Sequence, residues 1–245
     1  LVSSSALYQI IQQKKISEIK TDFINNMSHE FKTPIATINL ALDSISNPKV
    51  MDAPNKMTQY VKMIREENIR MLAQVENVLR ISQLELSNEP IQRTSMNVHQ
   101  AIQEAISHIQ LILKDKSGEL KTNFNAKNLY ILGNKNHFTN IVVNLLDNAL
   151  KYCDQNPKVE IETFNEDNEF VLKVKDNGIG MTPHVQKKVF DKFYRAASGD
   201  IHNVKGHGLG LAYVKKIVDL HKGQIYLESK NGIGTIFTLK IPNEN

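Results

Sequence analysis

Apolar residues recur every three or four positions at Phe23, Met27, Phe31, Ile35, Ile38, Leu42 and Ile45, which places them on one stripe of a helix. Residues 7–45 contain no glycine and a single proline, Pro34, so the spacing predicts one long amphipathic helix. Ser46-Asn47-Pro48 and Ala53-Pro54-Asn55 punctuate its end, because proline removes a backbone donor and biases its predecessor away from helix. A second stripe runs through Met57, Val61, Ile64, Met71, Val75 and Val78, with Leu72, Leu79 and Leu86 repeating beside it. Two such helices joined by a short loop predict an antiparallel hairpin with more apolar surface than two helices can cover. Dimerisation into a four-helix bundle would bury it. Asn68 falls on the second stripe, either fixing register or marking the stripe's edge.

Ser87-Asn88-Glu89-Pro90 breaks the helical pattern, and short strand-like runs alternating with helices follow. The boundary is therefore placed there, with an all-α hairpin over residues 1–90 and a second domain over 91–245. Asn97-Val98-His99-Gln100 reads as a capping box opening a helix to about Leu113. Residues 137–152 and 209–221 read as two further helices. Residues 158–163 and 169–175 read as paired strands around the turn Asn165-Glu166-Asp167-Asn168, and 224–229 and 235–241 as strands around Asn231-Gly232. Helices beside a mixed sheet make an α/β sandwich.

Composition narrows the picture only at a few points. At 245 residues the chain has room for two modest cores. Its formal charge of +4 is spread among acids, and neither a zinc-finger nor an RNP-type pattern is present, so solvated surface is expected and nucleic-acid binding is not. Cys153 is the one cysteine, which rules out an internal disulfide and fits a reducing compartment. Apolar runs fall short of the ~18 residues that cross a bilayer. The sequence opens on Leu1-Val2 without an initiator Met, so upstream segments, a membrane anchor among them, are allowed for.

Candidate chemistry lies at both ends of the chain. His29 sits just off the first stripe, and neutral imidazole, with a pKa of about 6.5, is a good nucleophile near neutrality. Glu30 can take the proton on the other ring nitrogen, and Thr33, on the same face as His29, can hold a water. Pro34 loosens the helix beside them. An exposed histidine on a kinked helix remains the plainer account of these residues alone. A zinc site fails, because Thr33 stands where H-E-x-x-H needs its second histidine.

Asn144 and Asn148 are one helical turn apart and share a face with Lys151 and, roughly, Tyr152. Amide oxygens suit Mg²⁺, Lys151 adds charge near phosphate, and Tyr152 offers a ring; a polar helix face is the alternative. Asp176 closes an apolar strand before Asn177-Gly178-Ile179-Gly180, where a carboxylate can accept from an exocyclic amine and glycines permit close approach or a sharp turn. Gly206-His207-Gly208-Leu209-Gly210 opens a helix whose free amides favour phosphate, without the Gly-Lys-Ser/Thr of a Walker loop or the preceding strand of a Rossmann turn. Between them, residues 181–205 carry Phe190, Phe193, Tyr194 and Arg195, and suit a lid or a surface loop.

In this order and spacing the blocks resemble the catalytic core of a sensor histidine kinase of two-component signalling, over residues 18–241. Ser28 to Pro34 resembles that family's H box, Asn144 to Tyr152 its N box, Asp176 to Gly180 its G1 box, Phe190 to Arg195 its F box and Gly206 to Gly210 its G2 box, with Gly234-Thr235 as the last glycine block. The resemblance implies that His29 is the phospho-acceptor, Glu30 its activating base and Thr33 a contributor to phosphatase activity. It implies that Asn144 binds Mg²⁺, that Asn148 and Lys151 contact the phosphates of ATP, that Tyr152 packs on adenine and that Asp176 bonds its amino group. Gly178, Gly180, Gly206, Gly208 and Gly210 would line the nucleotide in an ATP-binding domain of the gyrase type. It further implies a homodimer, a response-regulator receiver domain as partner, and a cytoplasmic location in a bacterial inner-membrane sensor anchored through segments outside this chain. Two rival readings are a protein-serine kinase or ATP-driven clamp built on the same domain, and a silent or phosphatase-dominant dimeric scaffold.

Overall fold

The structure, a computed structural model, describes residues 2–47, 50, 54–86, 92–153, 156–192, 194 and 208–243; within the first two helices some side chains, those of His29 and Glu30 among them, lie outside the description. The chain divides into two compact units, Leu1–Asn88 and Glu89–Asn245.

The first unit is two helices, α1 (Val2–Ile45) and α2 (Pro54–Leu86), packed against each other. Pro34 is inside α1 and buried, and α1 begins earlier than the expected residue 7 because nothing in residues 2–6 breaks helix. Met27 and Ala41 are buried, yet Ile35, Leu42, Val61, Leu72, Val75 and Leu79 remain exposed, so one hairpin covers only part of its apolar stripe. The side chains of Phe23, Val78 and Leu86 lie outside the described residues.

The second unit holds a five-stranded mixed sheet in the order β2-β4-β5-β7-β6, formed by β2 (Glu119–Phe124), β4 (Lys158–Glu166), β5 (Glu169–Asp176), β6 (Gln224–Lys230) and β7 (Gly234–Pro242). Only the β2–β4 pair is parallel. β1 (Thr94–Asn97) and β3 (Tyr130–Gly133) form a separate antiparallel ladder. Register aligns Ile161, Val174 and Phe237 across three strands, and likewise Thr163, Leu172 and Leu239. These positions are buried. The alternate positions pair Glu160 with Lys175 and Glu162 with Lys173, which makes the other face polar, as a one-sided antiparallel sheet requires.

On the apolar face lie α3 (Val98–Asp115), α4 (Lys135–Lys151) and α6 (Gly210–Leu220); α5 (Pro183–Gln186) is a single turn. The Asn97 side chain caps α3 by accepting from the amides of His99 and Gln100. The buried Thr163 hydroxyl meets His99 Nε2 at 2.8 Å, and the His99 ring stacks on Phe124 at 4.6 Å.

Several boundaries in the second unit differ from the sequence expectation by one to three residues. β4 runs through Asn165 and Glu166, so the hairpin turn is only Asp167-Asn168, both left-handed with φ of 47° and 62°. α4 starts two residues early because Asn134 caps it. Leu209 is the N-cap of α6 and lies outside the helix proper.

Candidate functional site

The site is best built from the end of α4. Leu145, Leu146, Ala149 and Leu150 bury one side of that helix, and Asn144, Asp147 and Asn148 come out half-buried on the other. Asn144 Nδ2 donates to the Asn140 carbonyl at 2.8 Å, which leaves Oδ1 toward the start of α6. A Cβ on Gly210 would stand 2.6 Å from that oxygen, so glycine opens α6 where the first turn comes against Asn144. Lys151 pairs with Asp147 at 2.5 Å in a half-exposed ion pair, a partner the sequence reading did not assign it.

Tyr152 caps α4, its amide donating to the Asn148 carbonyl at 3.0 Å. Its own carbonyl accepts from the Ile179 amide at 2.9 Å, tying the helix end to the glycine loop after β5. Gly178 passes so close that a Cβ there would lie 2.6 Å from the Tyr152 oxygen.

Asp176 ends β5 opposite Val159 and Thr235. Its Oδ1 accepts from the Gly178 amide at 2.8 Å and the Thr235 amide at 3.2 Å. Both bonds use one oxygen, so Oδ2 is left to accept from a ligand. Burial pushes the carboxyl above its ordinary 3.8 against the opposing pull of those amides.

The glycines of this loop answer a narrower need than approach to a ring. Gly180 is left-handed at φ +64°, and a Cβ on it would stand 2.0 Å from the Lys230 carbonyl oxygen; one on Gly234, at φ +137°, would stand 2.1 Å from the Asp176 oxygen. Backbone meets backbone at both places. Ser229 closes the arrangement, its hydroxyl accepting from the Met181 amide and donating to the Gly234 carbonyl, each at 2.9 Å. Gln186 Nε2 adds bonds to the carbonyls of Met181 and Ser229. Neither side chain stood out in the sequence, since serine and glutamine there carry no spacing signal.

Of the lid segment, Phe190 packs edge-on to Phe237 at 6.3 Å and Lys188 lies over the Tyr194 ring at 5.9 Å. Phe193, Arg195, Gly206 and His207 lie outside the described residues. Gly208 is left-handed at φ +65°. His29, Glu30 and Thr33 belong to α1 in the other unit, and Thr33's carbonyl accepts from the Thr37 hydroxyl at 3.0 Å.

Two domain families match this chain. Residues 19–87 match the His Kinase A (phospho-acceptor) domain, and residues 133–245 match the histidine kinase-, DNA gyrase B- and HSP90-like ATPase. The chain belongs to the sensor histidine kinases.

The chain is 40% identical over 238 residues to the sensor protein RprX of Bacteroides fragilis, covering 96% of this chain and 46% of RprX. It is 27% identical to the sensor protein kinase WalK of Staphylococcus aureus, over 98% of this chain and 58% of that protein. It thus spans about half the length of the curated relatives it matches. The fold is shared with the Acinetobacter baumannii histidine kinase AdeS, at TM-score 0.62 and 19% identity over 89% of this chain and 98% of that one. Among the described residues of the chain no helix is long and apolar enough to cross a membrane. No group of three or more His, Cys, Asp or Glu able to hold a metal occurs among them either. Mg²⁺ on a nucleotide needs no such cluster, because phosphate and water fill most of its shell. The amide oxygen of Asn144, which makes no hydrogen bond among the described residues, is a ligand atom of the right kind.

Proposed function

We propose that this kinase binds Mg²⁺-ATP in its second unit, transfers the γ-phosphoryl group to a ring nitrogen of His29, and passes it to an aspartate of a response-regulator receiver domain. The observation that carries the nucleotide half is Asp176, a half-buried carboxylate at a strand end with Oδ1 fixed by two amides and Oδ2, without a hydrogen bond among the described residues, available to an exocyclic amine. In this reading Tyr152 packs on the adenine, Gly178 and Gly180 shape the loop beneath it, and Asn148, Lys151 and the glycines at 206, 208 and 210 face the phosphates. Asn144 Oδ1 would hold Mg²⁺, whose charge offsets that of the transferring group.

His29 attacks phosphorus through one nitrogen lone pair, the bond to the β,γ-bridging oxygen breaks, and ADP leaves. Glu30 takes the proton of the other ring nitrogen. In the second transfer the N–P bond breaks as an aspartate oxygen of the regulator attacks, and Thr33 orients water for later hydrolysis of that acyl phosphate. Positioning and charge compensation carry most of such a reaction. The exposed stripe of the hairpin supports dimerisation into a four-helix bundle. The greater length of RprX and WalK, both named sensor proteins, supports a sensing remainder beyond this core; in this reading that remainder is anchored in the membrane and the core lies on its cytoplasmic side. A response regulator as partner is supported by ThkA, whose structure with the regulator TrrA shares this fold at TM-score 0.63 and 21% identity over 89% of this chain and 60% of that one.

Incubation with Mg²⁺ and γ-labelled ATP, wild type beside His29→Gln, tests the proposal. Acid-labile, base-stable label on wild type alone is expected. Acid-stable label on both proteins would overturn it.

A further inference from the structure

Lys116 lies outside every motif discussed above, on the turn between α3 and β2. Its backbone ends α3, the amide donating to the Ile112 carbonyl at 3.1 Å. Its ammonium crosses to α4 and donates to two carbonyls, Leu150 O at 2.6 Å and Cys153 O at 3.0 Å. These two carbonyls bracket the dipeptide Lys151-Tyr152. Leu150 and Cys153 are 2% and 5% exposed, so water is a poor substitute for the ammonium. A cation at a helix C-terminus also meets the negative end of the helix dipole.

The turn carrying Lys116 is itself fixed against this region. The Gly118 amide bonds Leu113 O at 2.8 Å, the Glu119 amide bonds Pro157 O at 2.8 Å, and a Cβ on Gly118 would stand 2.7 Å from the Pro157 side chain. The ammonium is thus delivered from a firm base. Tyr152, held between its two carbonyl bonds, in turn accepts from Ile179 in the glycine loop that follows Asp176.

We infer that Lys116 is a positioning residue for the adenine end of the nucleotide site, fixing the Tyr152 turn and through it the Gly178–Gly180 loop. The inference rests on the nucleotide reading given above. It separates two ends of the site: Lys116 governs the turn beside Tyr152 and Asp176, whereas Asn144 and the start of α6 lie at the other end of α4's exposed face.

The test uses the full chain and its Lys116→Met, Lys116→Arg and Lys114→Met variants, with Mg²⁺-ADP affinity by calorimetry and the ATP dependence of His29 labelling. For Lys116→Met, Kd for ADP and the half-saturating ATP concentration rise about tenfold, while the labelling rate at saturating ATP stays within about twofold. Lys116→Arg, which retains a cation that reaches carbonyl oxygens, recovers most of the affinity, and Lys114→Met matches wild type. If Lys116→Met fails to fold, Lys116→Gln is read by the same criteria. A lowered Tm with unchanged Kd, or a lowered saturating rate with unchanged half-saturation, would overturn the inference and leave the nucleotide site standing. Wild-type protein with no affinity for ADP would overturn the nucleotide reading and this inference with it.

Discussion

Gly180 and Gly232 both hold left-handed backbone, at φ +64° and +77°, but a Cβ on Gly180 would lie 2.0 Å from Lys230 O and 2.7 Å from its carbon, whereas one on Gly232 would meet nothing within 4 Å. Alanine at 232 therefore costs the left-handed conformation alone, about 1–2 kcal/mol, offset by about 0.4–1 kcal/mol from the stiffer unfolded chain. The net is about 1 kcal/mol or less, and Tm falls by about 2–4 °C. At 180 the same terms apply, and in addition a backbone oxygen must move about 1 Å, which no rotamer change can supply. That movement pulls Ile179 O from the Gly232 amide, now 2.7 Å away. The lost backbone bond and the displaced β6–β7 turn bring the total to about 3 kcal/mol, or about 6 °C or more in Tm. Calorimetric melts of the two variants without nucleotide measure the difference, and ADP titration of each follows. Equal losses at both positions would refute the close-approach argument. A Gly180→Ala protein as stable as wild type that binds no ADP would show that this glycine serves the ligand and not the neighbouring strand.

Asn144→Ala removes the amide oxygen beside Gly210, and is expected to abolish labelling of His29 with dimer mass by light scattering unchanged; loss of the dimer would refute it. Asp176→Asn retains an acceptor for Gly178 and Thr235 but loses the charge, so ADP affinity falls about tenfold or more with little change in Tm, and unchanged affinity in calorimetry would count against an amine contact. Thr139 Oγ1 is buried without a hydrogen-bond partner among the described residues, so the nearly isosteric Thr139→Val raises stability by about 1 kcal/mol in a thermal melt; a fall would mean the hydroxyl is served. His221 donates through Nδ1 to Ile217 O at 2.7 Å and accepts at Nε2 from the Asn134 amide at 3.3 Å, a pattern only the neutral ring supplies. Burial, helped by Arg93, lowers its pKa below 6.5, so the unfolded chain takes up the proton first. Stability is then full above pH 6.5 and declines as pH falls below it, and melts of His221→Gln should show a shallower decline; an undiminished slope would refute the assignment.

The long elements were legible because packing repeats along them: a helix stripe returns every three to four residues, β4 alternates from Lys158 to Phe164, and β5 carries the apolar run Phe170-Val171-Leu172 followed by Val174. β1 and β3, four residues each and half exposed, are too short for any period to register. Asn165 illustrates a different obstacle. It looks like a turn residue, but its side chain accepts from the amides of Lys127 and Asn128 and donates to Asn128 O, bonds made across the fold. At the site, Asp176, Asn144 and the glycines were visible because their residue types are restricted by conformation and charge. Lys116, Ser229 and Gln186 were not, because a lysine in a turn, a serine in a strand or a glutamine in a single helical turn becomes informative only once the carbonyls it reaches are known.

The polar groups of the site fall into two sets with different duties. Asp176 Oδ1, Ser229 Oγ, Gln186 Nε2, Tyr152 O and the Lys116 ammonium are all engaged with the chain itself, so the walls are satisfied before any ligand arrives. Asp176 Oδ2 and Asn144 Oδ1 form the outward set, the oxygens that make no hydrogen bond among the described residues. A site arranged this way requires little reorganisation on binding, and a ligand's hydrogen bonds are gained without breaking others. It also follows that stability and affinity separate by residue. Changes to the outward set lower affinity and leave Tm nearly constant, whereas changes to the wall, such as Gly180→Ala, lower both together. A catalytic motif whose every member lowered Tm would be a folding motif, and Asn144 and Asp176 are where that distinction is decided.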